Sequence, residues 1–197
     1  MTQGSMPARL TVMLALSCAA LFVPYAPAAG PAADAPPRLS LQALRELYRS
    51  PLDRVADIDG VEVYYRDEGR GPVVLLIHGS QSTMRTYDEL AGRLRDRFRV
   101  VRYDVPPNGL SGPVPEAVLG RLRPSDVPAR LLAKLGIASA SVVGVSSGGT
   151  TGIFLAAEHP QLVERLVVSC APADPVDMST LRKTPAMLEA ERRHGDY

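Results

Sequence analysis

The sequence predicts an α/β fold, a mostly parallel twisted sheet with helices on both faces. Three observations predict it. Asp59-Gly60 stands between two alternating runs and marks an opening hairpin. Val73-Val74-Leu75-Leu76-Ile77 is apolar throughout, as a strand buried on both faces of a parallel sheet must be. From there on, runs of strand character alternate with runs of helical spacing, the pattern of strand–helix–strand units.

In chain order, Ser40 is placed to cap a short helix over 41–49, with Leu41, Leu44, Leu47 and Tyr48 on one side and Pro51 as its stop. Residues 54–58 and 61–66 are the hairpin strands, and 73–77 the first buried strand. Residues 83–96 carry Met84, Tyr87, Leu90, Ala91 and Leu94 at helical spacing, and 98–103 read as the next strand. Residues 106–115 are loop. Ser125 or Asp126 caps a helix through Leu131, Leu132 and Leu135, which Gly136 ends. Ser141-Val142-Val143 is a short buried strand, and 149–157 a helix of small residues. Pro160 closes that helix, and 162–169 is one more strand. Right-handed crossovers bring the loops at 78–82, at 104–113 and after Val143 to one edge of the sheet, where ligands bind.

Composition sets the frame. The 197 residues suffice for one domain with a sizeable core, and 46% hydrophobic against 22% charged residues is ordinary for a globular chain. A net charge of +1 gives no basic face for nucleic acid. The N-terminus resembles an export signal: Arg9, an apolar run over 10–23, then small residues at Ala26-Pro27-Ala28. A membrane anchor is the competing reading, but the run is short and Pro24 and Pro27 end it. A lipoprotein signal ending at Cys18 is a further alternative, against which the apolar run continues past the cysteine. The expected organisation is a signal peptide over 1–28, a linker and short helix over 29–52, a core over 53–178 and the start of a helical lid over 179–197. The protein is expected to be exported, periplasmic or secreted, with no stable membrane span after signal cleavage. Cys170 is the one cysteine left then, and ending an apolar run it reads as a small buried hydrophobe.

Gly144-Val145-Ser146-Ser147-Gly148 carries the chemistry. G-x-S-x-G matches by chance in many chains, but here a buried strand precedes it and a small-residue helix follows. A strand, a sharp turn and a helix put a serine hydroxyl on an exposed tip, so Ser146 is the candidate nucleophile and not merely a turn serine. The flanking glycines are expected where no side chain fits. The residue after a nucleophile and the loop after the strand that ends in His78-Gly79 supply oxyanion-hole N–H groups, which assigns Ser147 and Ser80, with Gln81 a near alternative to Ser80. The three histidines are scattered and no Cys/His cluster exists, so no metal or other cofactor is expected. Gly148-Gly149 lacks the Lys-Ser/Thr of a phosphate loop.

Four pieces in register resemble an α/β-hydrolase of the lipase/esterase-like group with a lid, over residues 55–177. They are Gly69-Arg70-Gly71-Pro72 leading through the apolar strand to His78-Gly79; Arg102-Tyr103-Asp104 with a loop ending Gly109-Leu110-Ser111-Gly112-Pro113; the serine elbow with its extra Gly149; and Glu158-His159-Pro160 leading to a strand. One departure is Pro106-Pro107, where the family usually has Pro-Gly; Pro107 lacks an N–H and restricts Pro106 to extended geometry. The resemblance implies a small-molecule acyl substrate. It implies that His78 supports its loop and does not take the serine proton, and that His159 is structural. Asp174, following the strand after the elbow, is the partial candidate for the triad acid, with Asp177 behind it; a turn aspartate before proline is the plainer reading. His194 lies in a polar helical tail with no strand before it, unlike the family's base. Family members continue with the rest of the lid, two more strands, the acid and the base, so the sequence reads as C-terminally truncated.

Two functions compete at this point. One is a serine hydrolase acting on an ester, lactone or similar small acyl substrate, its base missing from this sequence and its acid too unless Asp174 serves. Ser146 in place of an aspartate argues against the dehalogenase and epoxide-hydrolase branches, while a carbon–carbon bond hydrolase or a cofactor-free haloperoxidase-like member remains open. The other is a catalytically inactive exported pseudo-hydrolase that binds ligands or has no function.

Overall fold

The computed structural model describes residues 39–171. The sheet with its helices lies within the unit that begins at Ser40. The expected signal peptide, the expected linker up to residue 38 and the expected lid, together with Asp174, Asp177 and His194, lie outside the described residues.

Six strands form one mixed sheet in the order β1-β2-β4-β3-β5-β6. They are β1 (Asp53–Ile58), β2 (Val61–Glu68), β3 (Val73–Ile77), β4 (Arg99–Tyr103), β5 (Ala140–Val145) and β6 (Val163–Ser169). β1 and β2 form the antiparallel hairpin that Asp59-Gly60 announces, with Ile58 opposite Val61. β2 also runs antiparallel to β4, and β4, β3, β5 and β6 are mutually parallel. The helices are α1 (Leu41–Tyr48), α2 (Asp88–Leu94), α3 (Asp126–Lys134) and α4 (Ser147–Glu158). This is the mostly parallel, helix-covered sheet that the sequence predicts.

Strand periodicity decides which residues meet which helix. Leu75, Ile77, Val101, Tyr103 and Val142 point to one face and pack with Val127, Leu131 and Leu132 of α3 and Leu155 of α4. Val74, Leu76 and Val100 point to the other and pack with Ala91 of α2 and Tyr87 just before it. Both faces of β3 and β4 are therefore buried, which is why β3 is apolar without alternation.

Three local expectations change. The helix expected over 83–96 opens as a tight 3₁₀ turn, Met84–Tyr87, before α2 begins. Ser125 does not cap α3: its backbone is already helical, and its hydroxyl instead donates to the Glu158 carboxylate at the end of α4. In α1 the Ser40 cap holds, its Oγ accepting from the Ala43 N–H at 3.1 Å, but Leu47 and Tyr48 turn to the exterior. Leu44 is the one that packs against a buried cluster, that of Tyr64, Met84 and Leu110.

The charges on the α2 face have no counterpart in the sequence pattern. Arg66 and Glu68 of β2 and Arg102 of β4 are almost wholly buried. Arg102 bonds Glu68 through two nitrogens at 2.9 and 2.8 Å, Asp88 at 2.5 Å and the Met84 carbonyl at 3.1 Å. Arg66 joins Asp53 at 2.5 Å and Asp88 at 3.2 Å. The arginine stems pack like aliphatic residues while their heads bond the carboxylates of Asp53, Glu68 and Asp88.

Candidate active site

The C-terminal end of β5 turns into α4 within one residue. Ser146 occupies that turn with φ 54° and ψ −128°, a left-handed conformation in which a residue with a side chain is strained. Its N–H donates to the Ser169 carbonyl of β6 at 2.9 Å, and its own carbonyl accepts from Gly149 at 2.8 Å and Thr150 at 3.1 Å. The peptide is thus held from the neighbouring strand and from the first turn of the helix, and the side chain is left exposed. The glycines are there for space, as expected. A Cβ on Gly148 would sit 2.3 Å from the Ile77 carbonyl oxygen and 2.4 Å from that of His78. One on Gly144 would meet the Gly148 carbonyl oxygen at 2.4 Å. β3, β5 and α4 can approach this closely only because both positions lack a side chain.

The loop after β3 comes to the same place. A Cβ on Gly79 would lie 3.1 Å from the Ser146 Cβ and 3.8 Å from its hydroxyl oxygen. Ser80 Oγ donates to Ser147 Oγ at 3.0 Å, so the two residues assigned as oxyanion donors stand side by side next to Ser146. Gln81, the alternative, takes φ 54° at the bend of the loop. The N-terminus of the twelve-residue α4 adds its partial positive charge at this point, favouring a negative ligand atom.

His78 is held as the resemblance implies. It is 1% exposed. The Val105 N–H donates to its Nε2 at 2.8 Å, so that nitrogen is the unprotonated one and Nδ1–H donates to the Gly79 carbonyl at 2.7 Å. With both nitrogens occupied, the ring fixes the loops after β3 and β4 and has no lone pair for Ser146. His159 lies past the other end of α4, about 18 Å along the helix at 1.5 Å per residue, with its Nε2 buried and unbonded among the described residues.

The loop after β4 forms the other wall, and Asp104 holds it. Its carboxylate accepts from the Met84 and Leu110 N–H groups, each at 2.7 Å, and its carbonyl accepts from Ser111 Oγ at 2.6 Å. In the sequence Asp104 stands out only as part of a motif, with no role of its own. An aspartate at a strand end ahead of a Gly-Leu-Ser-Gly loop was the signal available, because a buried carboxylate needs N–H donors and such a loop offers them. Arg45 of α1 donates to the Leu110 carbonyl at 2.9 Å and secures the same wall from outside. The Pro106–Pro107 bond within it is cis.

Cys170 departs from expectation. It is exposed, with φ 53°, one residue beyond β6, where the chain has already left the packed sheet. A cavity of about 340 Å³ opens beside the first turn of α4, lined chiefly by apolar side chains of the loop after β4 and of α3.

Comparisons with known proteins bear on this arrangement. The alpha/beta hydrolase fold family model matches residues 72–197. The 2-(acetamidomethylene)succinate hydrolase of Mesorhizobium japonicum is 30% identical over 142 residues, which cover 72% of this chain and 48% of that protein. The structure of a hydrolase from Pseudomonas aeruginosa PA01 matches with a TM-score of 0.59 and 29% identity, over 75% of this chain and 53% of that one. An enol-lactonase from Burkholderia xenovorans LB400 matches with a TM-score of 0.51 and 30% identity, over 58% of this chain and 45% of that one. The chain spans about half the length of the curated relatives it matches.

Proposed function

Since the chain belongs to the alpha/beta hydrolase fold family, we propose that it carries the nucleophile half of a serine hydrolase acting on an ester, lactone or similar small acyl substrate. The observation that carries this reading is Ser146 itself: an exposed hydroxyl on a strained turn, between β5 and the N-terminus of α4. Strain of this kind, about 1–3 kcal/mol, persists where the surrounding structure enforces it, and it clusters at reacting residues. The likeness to an enol-lactonase supports acyl chemistry of the ester and lactone type.

In this reading Ser146 Oγ attacks the acyl carbon and its proton passes to a base. The carbonyl oxygen, now negative, is met by the backbone N–H groups of Ser147 and Ser80. The alcohol leaves with a proton, and water later releases the acid from the acyl-enzyme. Each oxyanion donor is worth about 3–4 kcal/mol of barrier. His78, with both ring nitrogens occupied, and His159, past the far end of α4, are not placed to be that base.

That last point favours a second reading, a pseudo-hydrolase that keeps the fold and binds a ligand without turnover. One experiment decides between them. The folded 197-residue chain is treated with a fluorophosphonate and its intact mass is measured, with Ser146→Ala as control. Labelling of one site, lost in Ser146→Ala, supports the hydrolase. A folded sample that takes no label, even with imidazole supplied in solution as the base, refutes it and leaves the second reading.

A further inference from the structure

The two N–H groups assigned to the oxyanion hole belong to different elements. That of Ser147 opens α4, and the first four N–H groups of a helix have no partner within it. That of Ser80 lies on the loop after β3. The root of this loop is fixed by His78, whose Nδ1–H donates to the Gly79 carbonyl at 2.7 Å and whose Nε2 accepts from Val105 at 2.8 Å. Its far end is fixed by the hydroxyls of Ser82 and Thr86, 2.5 Å apart. Ser80 and Gln81 form the exposed crest between those anchors. There the loop crosses to the helix: Ser80 Oγ donates to Ser147 Oγ at 3.0 Å, over a separation of 67 residues.

Two donors serve one oxygen only if the distance between them is held. A misplacement of about 1 Å at a reacting centre can cost about a hundredfold in rate, so what this bond fixes matters more than its own strength. To the stability of the whole fold it adds little, because both hydroxyls are exposed and water replaces either partner when one is lost. Nor does it hold α4 against β3. That is secured beneath it by the close approach at Gly148, where a Cβ would fall 2.3 Å from the Ile77 carbonyl oxygen. The hydroxyl pair fixes the crest of the loop against the first residue of the helix.

We propose that the side chains of Ser80 and Ser147 are positioning groups, whose hydroxyl–hydroxyl bond sets the spacing of the two oxyanion N–H groups beside Ser146. The backbone N–H groups meet the substrate oxygen, and the hydroxyls act through them. This rests on the reading of Ser146 as the nucleophile, which supplies the oxygen that the spacing serves.

The test is equilibrium binding of phenylboronic acid to the full chain at neutral pH, read by boron NMR. Ser146 Oγ bonds to boron and its proton goes to water. Boron becomes a tetrahedral anion that keeps both of its own hydroxyls and sets one where the oxyanion would stand. An equilibrium of this kind needs no catalytic base. Ser146→Ala should show no tetrahedral signal. Ser80→Ala and Ser147→Ala should each weaken the parent affinity by about fivefold, with thermal midpoints unchanged. Both remove the same bond, so the double variant should lose no more than either single. Ser80→Thr, which keeps a hydroxyl, should recover most of the affinity. The proposal is overturned, with the reading of Ser146 left standing, if either alanine variant binds like the parent or if the two losses multiply in the double variant. It is equally overturned if Ser80→Thr recovers nothing, or if the loss of affinity comes with a matching fall in thermal midpoint. A folded parent that gives no tetrahedral signal counts against Ser146 itself, and the proposal falls with it.

Discussion

Replacing Arg102 by methionine should be among the most destabilising single changes in this chain. The Arg102 side chain is 2% exposed and that of Glu68 6%. Methionine keeps the stem and its packing but removes every bond the guanidinium makes. Glu68 then retains only Arg95, 4.0 Å away on a side chain that is 54% exposed, so a buried carboxylate loses its close partner. Breaking a buried pair from one side costs about 3–5 kcal/mol. Asp88, half exposed, is rehydrated and adds little. With a urea slope of about 2 kcal/mol per molar, the unfolding midpoint should fall by about 2 M. The double variant Arg102→Met/Glu68→Leu removes both charges and should recover most of that loss. Urea unfolding followed by circular dichroism measures all three. A single variant costing less than about 1 kcal/mol, far below the range for a broken buried pair, or a double variant no better than the single, would refute the claim that the cost lies in an uncompensated Glu68.

Gly148→Ala should prevent fluorophosphonate labelling and cost about 1–3 kcal/mol, since its Cβ would fall 2.3 Å from a backbone oxygen and must push α4 away from β3; labelling at the parent rate would contradict this. Asp104→Ala should leave the Met84 and Leu110 N–H groups unpaired and lower stability by at least about 2 kcal/mol, measured by thermal unfolding, with faster amide exchange at those two residues. High pH should unfold the protein through its tyrosines. Burial is the main cause raising the pKa of Tyr64, Tyr87 and Tyr103, with Asp53 adding at Tyr64. The unfolded chain therefore loses these protons first, and stability is full below about pH 10 and falls as pH rises beyond it. Phenolate absorbance from these three should appear together with loss of the folded signal; titration of all tyrosines near pH 10 with the fold intact would show the burial argument to be wrong.

The sheet was legible because its signals are local. Asp59-Gly60 sets one turn, and runs such as Val73–Ile77 admit few other environments. The glycines around Ser146 were legible for the same reason, since each marks a backbone approach that excludes a side chain. What the sequence did not disclose depends on partners distant in the chain. Nothing in Val-Val-Arg-Tyr-Asp announces that Arg102 meets Glu68 across 34 positions or that Asp104 gathers N–H groups from two loops. Ser125 misled because a hydroxyl before a helix reads as a cap, and only the fold brings Glu158 within its reach. Cys170 misled because it ends an apolar run, while its burial depends on where the chain turns after β6.

Position and activation are separable in this molecule, and that shapes what a measurement on it means. Everything that fixes the Ser146 backbone lies among the described residues: the Ser169 carbonyl, the first turn of α4, and the close packing at Gly144 and Gly148. None of these groups can accept the Ser146 proton. A folded sample should therefore present the serine in its strained geometry whether or not a base is at hand. In the hydrolase reading, Ser146→Ala should leave the fold standing and remove the label, and a variant that relaxes the turn, such as Gly148→Ala, should remove the label by moving the peptide. If the parent protein takes no label while the elbow geometry is intact, the position of the serine is not the cause, and the deficit lies either in the base or in Ser146 not being a nucleophile. Supplying imidazole in solution to that folded sample then becomes informative: partial recovery of labelling would assign the deficit to proton transfer, and no recovery would count against Ser146 as a nucleophile at all.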